Sequence, residues 1–218
     1  ATETIGVTGP RLVLVHGFTQ TRRCWGQVAD DLARDHEVVL VDAPGHGGSA
    51  GFMPASFAEG AELIGAVGGR ATYVGYSMGG RYALQLAVLR PDLVQRLVLV
   101  GASPGLAHDD PGARAARRSS DEALAQRLEE IGVDAFLDEW LAMPMFAGLD
   151  ESSRCLAERR TNTVAGLASS LRTAGTGSQP DLWGALPDLT IPVLLVTGAD
   201  DTRSEEHTSE LQSPCNLV

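Results

Sequence analysis

Gly75-Tyr76-Ser77-Met78-Gly79 is a G-x-S-x-G motif, standing where an apolar run (ATYVGY) gives way to a helical pattern (MGGRYALQLAVL). At so tight a strand-to-helix turn a serine is lifted beside the positive end of a helix, and its Oγ is exposed as a nucleophile or base. With 25 Gly in the chain the pattern alone is cheap, and a Gly-rich turn that merely packs a helix on a sheet would also produce it; the placement favours chemistry. His16-Gly17-Phe18 follows another apolar run, so the Phe18 N–H is placed to join that of Met78 against developing negative charge. His16 reads as a histidine that orients this loop, and His46, in the turn-rich stretch 42–49, reads the same way. Asp201 lies just past a run ending at Thr197, where the acid that orients a catalytic histidine is expected in the order Ser, Asp, His. Asp200 is the less favoured neighbour.

These groups need a scaffold, and the hydrophobic pattern supplies one. Arg11–Val15, Glu37–Asp42, Ala71–Tyr76, Gln95–Val100 and Ile191–Thr197 are short β-branched runs without alternation, as expected of parallel strands buried on both faces. Helical patterns near Cys24–Ala33, Phe57–Val67 and Met78–Leu89 separate the first four, which makes a β/α alternation with crossover helices. From about Ser103 to Pro187 the chain is helical and charged, and it reads as an insertion over the carboxyl edge of the sheet, where open α/β folds bind ligands.

The 218 residues, 44% hydrophobic and 21% charged, suit one globular domain with its own core. Seventeen basic residues, all Arg, against 28 acidic ones give a net charge of −11, which argues against nucleic acid or anionic lipid as partners. Ala1–Gly9 lacks the basic-then-apolar pattern of an export signal and no apolar run is long enough to span a bilayer, so a cytoplasmic protein is expected. Cys24, Cys155 and Cys215 are far apart in sequence and lack metal-ligand spacing; reduced thiols, no disulfide framework and no metal are expected.

HGF, DAPGHGGS, GYSMGG and GADD, in this order, resemble the α/β-hydrolase superfamily across residues 11 to 202. GYSMGGR, SPGL, AARRSSDEAL, FLDEWLAMPMF and GTGSQPDLW narrow the resemblance to the 2-succinyl-6-hydroxy-2,4-cyclohexadiene-1-carboxylate synthases of menaquinone biosynthesis. The resemblance implies a cofactor-free lyase. Its serine, activated by a histidine, removes a ring proton from an enolpyruvyl substrate, and a 2,5-elimination expels pyruvate. Arg81 follows Ser77 by one helical turn and so shares its side, a charge that a generic lipase elbow has little use for. By resemblance, Arg117 and Arg159 bind carboxylates of a small polyanionic substrate, as Arg does through paired N–H donors. Tyr76 carries over as a hydroxyl contact, and Trp140 and Phe146 as an apolar wall. The bland alternatives are exposed helical charges for the cap arginines, with Arg118 and Arg160 as adjacent decoys, and ordinary core packing for the two aromatics.

The C-terminal part departs from the family. A triad histidine belongs on a loop after a further strand, followed by a covering helix; His207 follows Asp201 too closely for that strand to intervene. Residues 203–218 also resemble the conceptual translation of a short-read sequencing adapter, which reads as Arg203 through Gln212. The expected organisation is a first core segment at 1–102, a helical cap at 103–187, an incomplete core continuation at 188–202 and a foreign tail at 203–218. The fold would then be truncated before the last strand and helix, and the chain inactive. A carboxylic-ester hydrolase of the same fold is the alternative activity, and a non-catalytic hydrolase-like binding domain the alternative class.

Overall fold

Short Val- and Leu-rich runs reach stability only by pairing edge to edge and burying their side chains. The computed structural model describes residues 1–106 and 111–198, and six strands pair in it: β1 Thr2–Ile5, β2 Arg11–Val15, β3 Glu37–Val41, β4 Ala71–Tyr76, β5 Val94–Val100 and β6 Val193–Val196. Their order is β1-β3-β2-β4-β5-β6. Every neighbouring pair is parallel except β1, which runs antiparallel to β3. The five expected runs are all strands.

One strand lies outside the five expected runs, and one expectation is corrected. The polar segment Thr2–Ile5 is a strand although its sequence gives no apolar run, because it is an edge strand held by its register against Val38–Val41. Burial on both faces holds for β2 and β3, whereas β4 to β6 alternate, with Leu194 47% and Val196 41% exposed. Alternation is what a strand shows when one face is left open.

Helices α1 Gly26–Leu32, α2 Phe57–Gly68 and α3 Met78–Leu89 connect the strands. Ser56 caps α2 by accepting the Glu59 N–H. Tyr73, Ile64, Leu84, Leu86 and Leu97 form the main core with Val13 and Val39. Between β5 and β6 the described residues contain no strand; they form α4 Pro111–Leu141, α5 Leu156–Arg159 and α6 Val164–Ala174. Gly132, at φ 78 and ψ 174, breaks α4 into arms at 111–131 and 133–141. Leu128, Phe136, Leu167 and Leu171 give these helices a small core of their own, against which Phe18 packs from the β2 side.

Helix α3 lies unusually close to β2. A Cβ on Gly79 would fall 2.1 Å from the Val15 carbonyl oxygen, so only glycine permits the approach. Gly79→Ala is therefore expected to destabilise the fold by about 3 kcal/mol, read as a lowered urea midpoint. Among the described residues no helix is long and apolar enough to cross a membrane, and no three His, Cys, Asp or Glu side chains gather as metal ligands. Asp200, Asp201, His207 and residues 203–218 lie outside the described residues.

Candidate active site

Ser77 joins β4 to α3 at φ 51 and ψ −114, a left-handed backbone that a residue with a Cβ adopts only under constraint. Its backbone is pinned on both sides, since Ser77 N–H donates to Val100 O at 2.8 Å and Ser77 O accepts the Arg81 N–H at 3.1 Å. The bend also needs Gly75, where a Cβ would strike the Gly79 carbonyl oxygen and Gly80 N and Cα, each at 2.4 Å. Such strain at a half-buried serine that lines a cavity is a common mark of a functional site. Met78 is the first residue of α3, so its N–H has no intrahelical acceptor. Across from it, the turn after β2 is closed by Gln20 N–H to Gly17 O at 3.2 Å and by Gly17 N–H to Gln20 Oε1 at 2.9 Å. That leaves the Phe18 N–H without a partner among the described residues.

One cavity of about 200 Å³ opens above the bend. Ser77, Phe18, Met78, Tyr76, Arg81, Arg117, Arg159, Trp140 and Phe146 all line it. The arginines arrive from three different elements, α3, α4 and α5.

Their electrostatics differ. Arg81 donates to Gln179 Oε1 at a long 3.4 Å and its guanidinium carbon stands 5.7 Å from the centre of the Phe57 ring. No described carboxylate pairs with it, and burial lowers its pKa to about 10, so it stays charged at neutral pH at some cost in desolvation. Arg159 is only 2% exposed; it donates to Arg154 O at 2.7 Å, to Phe18 O at 3.3 Å and to Thr19 Oγ1, all neutral acceptors, and burial lowers its pKa too. Arg117 alone has a carboxylate partner: its Nε meets Asp121 Oδ1 at 2.9 Å. Arg118 is exposed and Arg160 pairs with Asp134 at 3.2 Å; neither lines the cavity. Two cavity-lining guanidinium groups without a carboxylate partner among the described residues give the cavity a chemistry suited to anions.

The opposite wall is aromatic. Trp140 lies 5.3 Å from Phe18, 6.0 Å from Phe136 and 5.7 Å from Phe146, between centroids, and its buried Nε1–H has no partner.

His16 and His46 support the floor without lining the cavity. His16 Nε2 accepts the Ala43 N–H at 3.0 Å, which places its proton on Nδ1, where it donates to Gly17 O at 2.8 Å. His46 Nε2 likewise accepts from Thr19 N–H at 3.3 Å, and its Nδ1 donates to Pro44 O at 2.9 Å. Burial lowers His16 to about 4; burial, and then the charge on His16, lower His46 to about 3. The unfolded chain binds protons on these rings below about pH 6.5, while the folded chain does not until about pH 4. Stability from this pair is thus complete above pH 6.5 and lost as pH falls from there toward 4. The urea midpoint is expected to drop between pH 7.5 and pH 5, and His46→Gln to flatten part of that slope.

Reading the sequence missed several residues that shape the cavity. Asp121, 1% exposed, holds Arg117 and also accepts the Gly177 N–H at 3.0 Å, which fastens α4 to the loop after α6. Gln179 is fully buried and joins Arg81 to Ser103 O at 3.0 Å. Ser170 of α6 lines the cavity beside Met78, its Oγ donating to Sδ at 3.4 Å. For Asp121 the i, i+4 spacing from Arg117 was the available signal; Gln179 lies within the GTGSQPDLW motif without standing out from it, and Ser170 carried no signal.

The profile of the alpha/beta hydrolase family matches residues 12–217. The 2-succinyl-6-hydroxy-2,4-cyclohexadiene-1-carboxylate synthase of Citrobacter koseri is 33% identical over 221 residues, covering 96% of this chain and 84% of that protein. Among solved structures, MenH from S. aureus superposes with a TM-score of 0.86 at 25% identity, over 100% of this chain and 88% of that one. A thermophilic esterase from Thermogutta terrifontis, solved with malate bound, gives a TM-score of 0.78 at 25% identity, over 96% of this chain and 79% of that one.

Proposed function

Because this chain belongs to the alpha/beta hydrolase family, we propose that its cavity is the active site of a carbon–oxygen lyase of menaquinone biosynthesis. The substrate is 2-succinyl-5-enolpyruvyl-6-hydroxy-3-cyclohexene-1-carboxylate and the product 2-succinyl-6-hydroxy-2,4-cyclohexadiene-1-carboxylate, with pyruvate released and no cofactor used. The observation that carries this reading is the ring of Arg81, Arg117 and Arg159 around one strained serine, facing a substrate whose name specifies three carboxylates.

Ser77, its hydroxyl proton accepted by a histidine, takes the ring proton; the electron pair left behind shifts to form the conjugated diene and the C–O bond to the enolpyruvyl group breaks. The leaving group departs as the enolate of pyruvate and ketonises when protonated. Asp201 orients the histidine, and the N–H groups of Phe18 and Met78 stabilise negative charge as it develops. Tyr76 and Trp140 contact the substrate, and the arginines hold its carboxylates.

Among the described residues no histidine lines the cavity. His16 and His46 are committed to the loops, and His207 follows Asp201 by six residues. The chain by itself is expected to release no pyruvate above background. The test therefore uses a chimera in which a family C-terminal segment carrying the triad histidine follows residue 202. It is given the enolpyruvyl substrate, with pyruvate read by coupled reduction, and separately a nitrophenyl ester. Pyruvate release with weak ester turnover supports the lyase.

The second reading is a carboxylic-ester hydrolase, favoured by the bend at Ser77 and by the likeness to the Thermogutta esterase. Efficient ester turnover without pyruvate would establish it in place of the lyase. A binding domain without catalysis gives no reason for the strain held at Ser77.

A further inference from the structure

Among the described residues Arg117 is the cavity arginine with a carboxylate partner, and that carboxylate is itself fixed. Asp121 follows Arg117 by one turn of α4, its side chain 2% exposed against 38% for Arg117. Its Oδ1 accepts from Arg117 Nε at 2.9 Å and its Oδ2 accepts the Gly177 N–H at 3.0 Å. The turn after α6 closes tightly over it: a Cβ at Gly175 would lie 2.4 Å from Oδ2, so only glycine fits beside the carboxylate. Asp121 thus grips Arg117 by the Nε edge. Among the described residues no hydrogen bond occupies the two Nη groups of Arg117, and both side chains line the cavity.

We infer that Asp121 is a positioning residue that sets the selectivity of the cavity, by turning Arg117 from a free positive charge into a fixed pair of hydrogen-bond donors. The inference rests on the lyase reading for the identity of the ligand. Arg81 and Arg159 have only neutral acceptors among the described residues, so they carry the net charge that draws in any anion. Arg117 and Asp121 together are neutral and add little to that pull. Both signs are felt inside the cavity: the Arg117 charge weakens the hold of Arg81 on its proton, and the Asp121 charge strengthens it.

What the pair contributes is direction. A carboxylate that reaches Arg117 must approach the edge bearing the Nη groups, in the guanidinium plane, to accept two parallel hydrogen bonds. Without the grip on Nε, a long and partly exposed side chain samples many rotamers and loses that freedom on binding. A small round anion gains little from a held fork and is repelled by the carboxylate behind it. A polycarboxylate that spans the three arginines gains from the charge of two and from the geometry of the third. Selectivity is the difference between these two balances.

The test measures binding by titration calorimetry on the 218-residue chain, which is expected to hold the enolpyruvyl substrate without converting it. The probes, used at constant ionic strength, are that substrate and inorganic sulfate. Asp121→Asn keeps the size of the side chain but removes its charge and replaces one acceptor oxygen with a donor. It is expected to weaken substrate binding about 10-fold and to tighten sulfate binding about 3-fold. Arg117→Lys leaves buried Asp121 a counter-ion and removes the fork; it should weaken substrate binding about 10-fold and move sulfate by about 2-fold at most. Urea midpoints check that each variant is folded, and if Asp121→Asn is not, Arg117→Lys decides alone. Tighter binding of both probes by Asp121→Asn reduces Asp121 to a bare repelling charge, and weaker binding of both reduces it to packing; either overturns the inference. Equal losses on both probes in Arg117→Lys overturn it as well. A parent chain that binds sulfate but not the substrate sinks the lyase reading and this inference with it, whereas a parent that binds the substrate and variants that leave the ratio of affinities unchanged sink the inference alone.

Discussion

Replacing Ser77 with Ala in the histidine-bearing chimera is expected to lower kcat for pyruvate release by at least about 10³-fold while KM moves little. In the proposed mechanism Ser77 supplies the reacting oxygen, and no other hydroxyl lining the cavity is placed alike: Tyr76 and Ser170 share it, but Ser77 stands on the bend beside Met78. Ala retains a Cβ and so inherits the same left-handed backbone, which leaves stability nearly unchanged. Ser77→Gly relieves the strain and is expected to raise stability by about 1 kcal/mol while abolishing activity. A residue kept for structure would behave in the opposite way. Full pyruvate output from Ser77→Ala would remove the basis of the proposed mechanism, and thermal unfolding of both variants separates lost chemistry from lost fold.

Arg81 gives the second large effect. Arg81→Ala is expected to reduce kcat/KM for the enolpyruvyl substrate by about 10² to 10³, equivalent to about 3–4 kcal/mol, while turnover of a small neutral ester changes little. The reason is the missing counter-ion: among the described residues no carboxylate pairs with this guanidinium, which has Gln179 at 3.4 Å and the Phe57 ring nearby, and in the proposed complex a substrate carboxylate neutralises it. Arg81→Lys should recover little, since an ammonium cannot reproduce the planar donor pair. Arg81→Met is expected to stabilise the unliganded chain by about 1 kcal/mol, because it removes a desolvated charge and keeps the stem. Loss of substrate binding together with gain of stability is the signature sought; equal losses on charged substrate and neutral ester would assign Arg81 to packing instead.

The sheet was largely legible because its signal is local. Uninterrupted Val/Leu runs mark β2 to β6 to within a residue or two, and the bend at Ser77 is written in five adjacent residues. Arg81 was legible through helical spacing alone. Arg117 and Arg159 were not: only the family resemblance set them apart from Arg118 and Arg160, one position away, and the folded chain buries or pairs each member of those couples differently. β1 escaped because Thr-Glu-Thr-Ile has no hydrophobic run; its strand character comes from β3. The burial of Gln179 depends on the approach of segments far apart in the chain, and no window of sequence contains that information.

The break at Gly132 assigns the two walls of the cavity to separate levers. The lever before it bears Arg117 and Asp121, and the lever after it bears Trp140. A Cβ at Gly132 would have open space beyond its own chain neighbours, so the obstacle to alanine there is the positive φ. A lineage could therefore retune the span between charge and indole by changing one residue that touches no substrate. Selection for substrate breadth would then be recorded at a pivot on the protein's exterior, outside every list of contact residues.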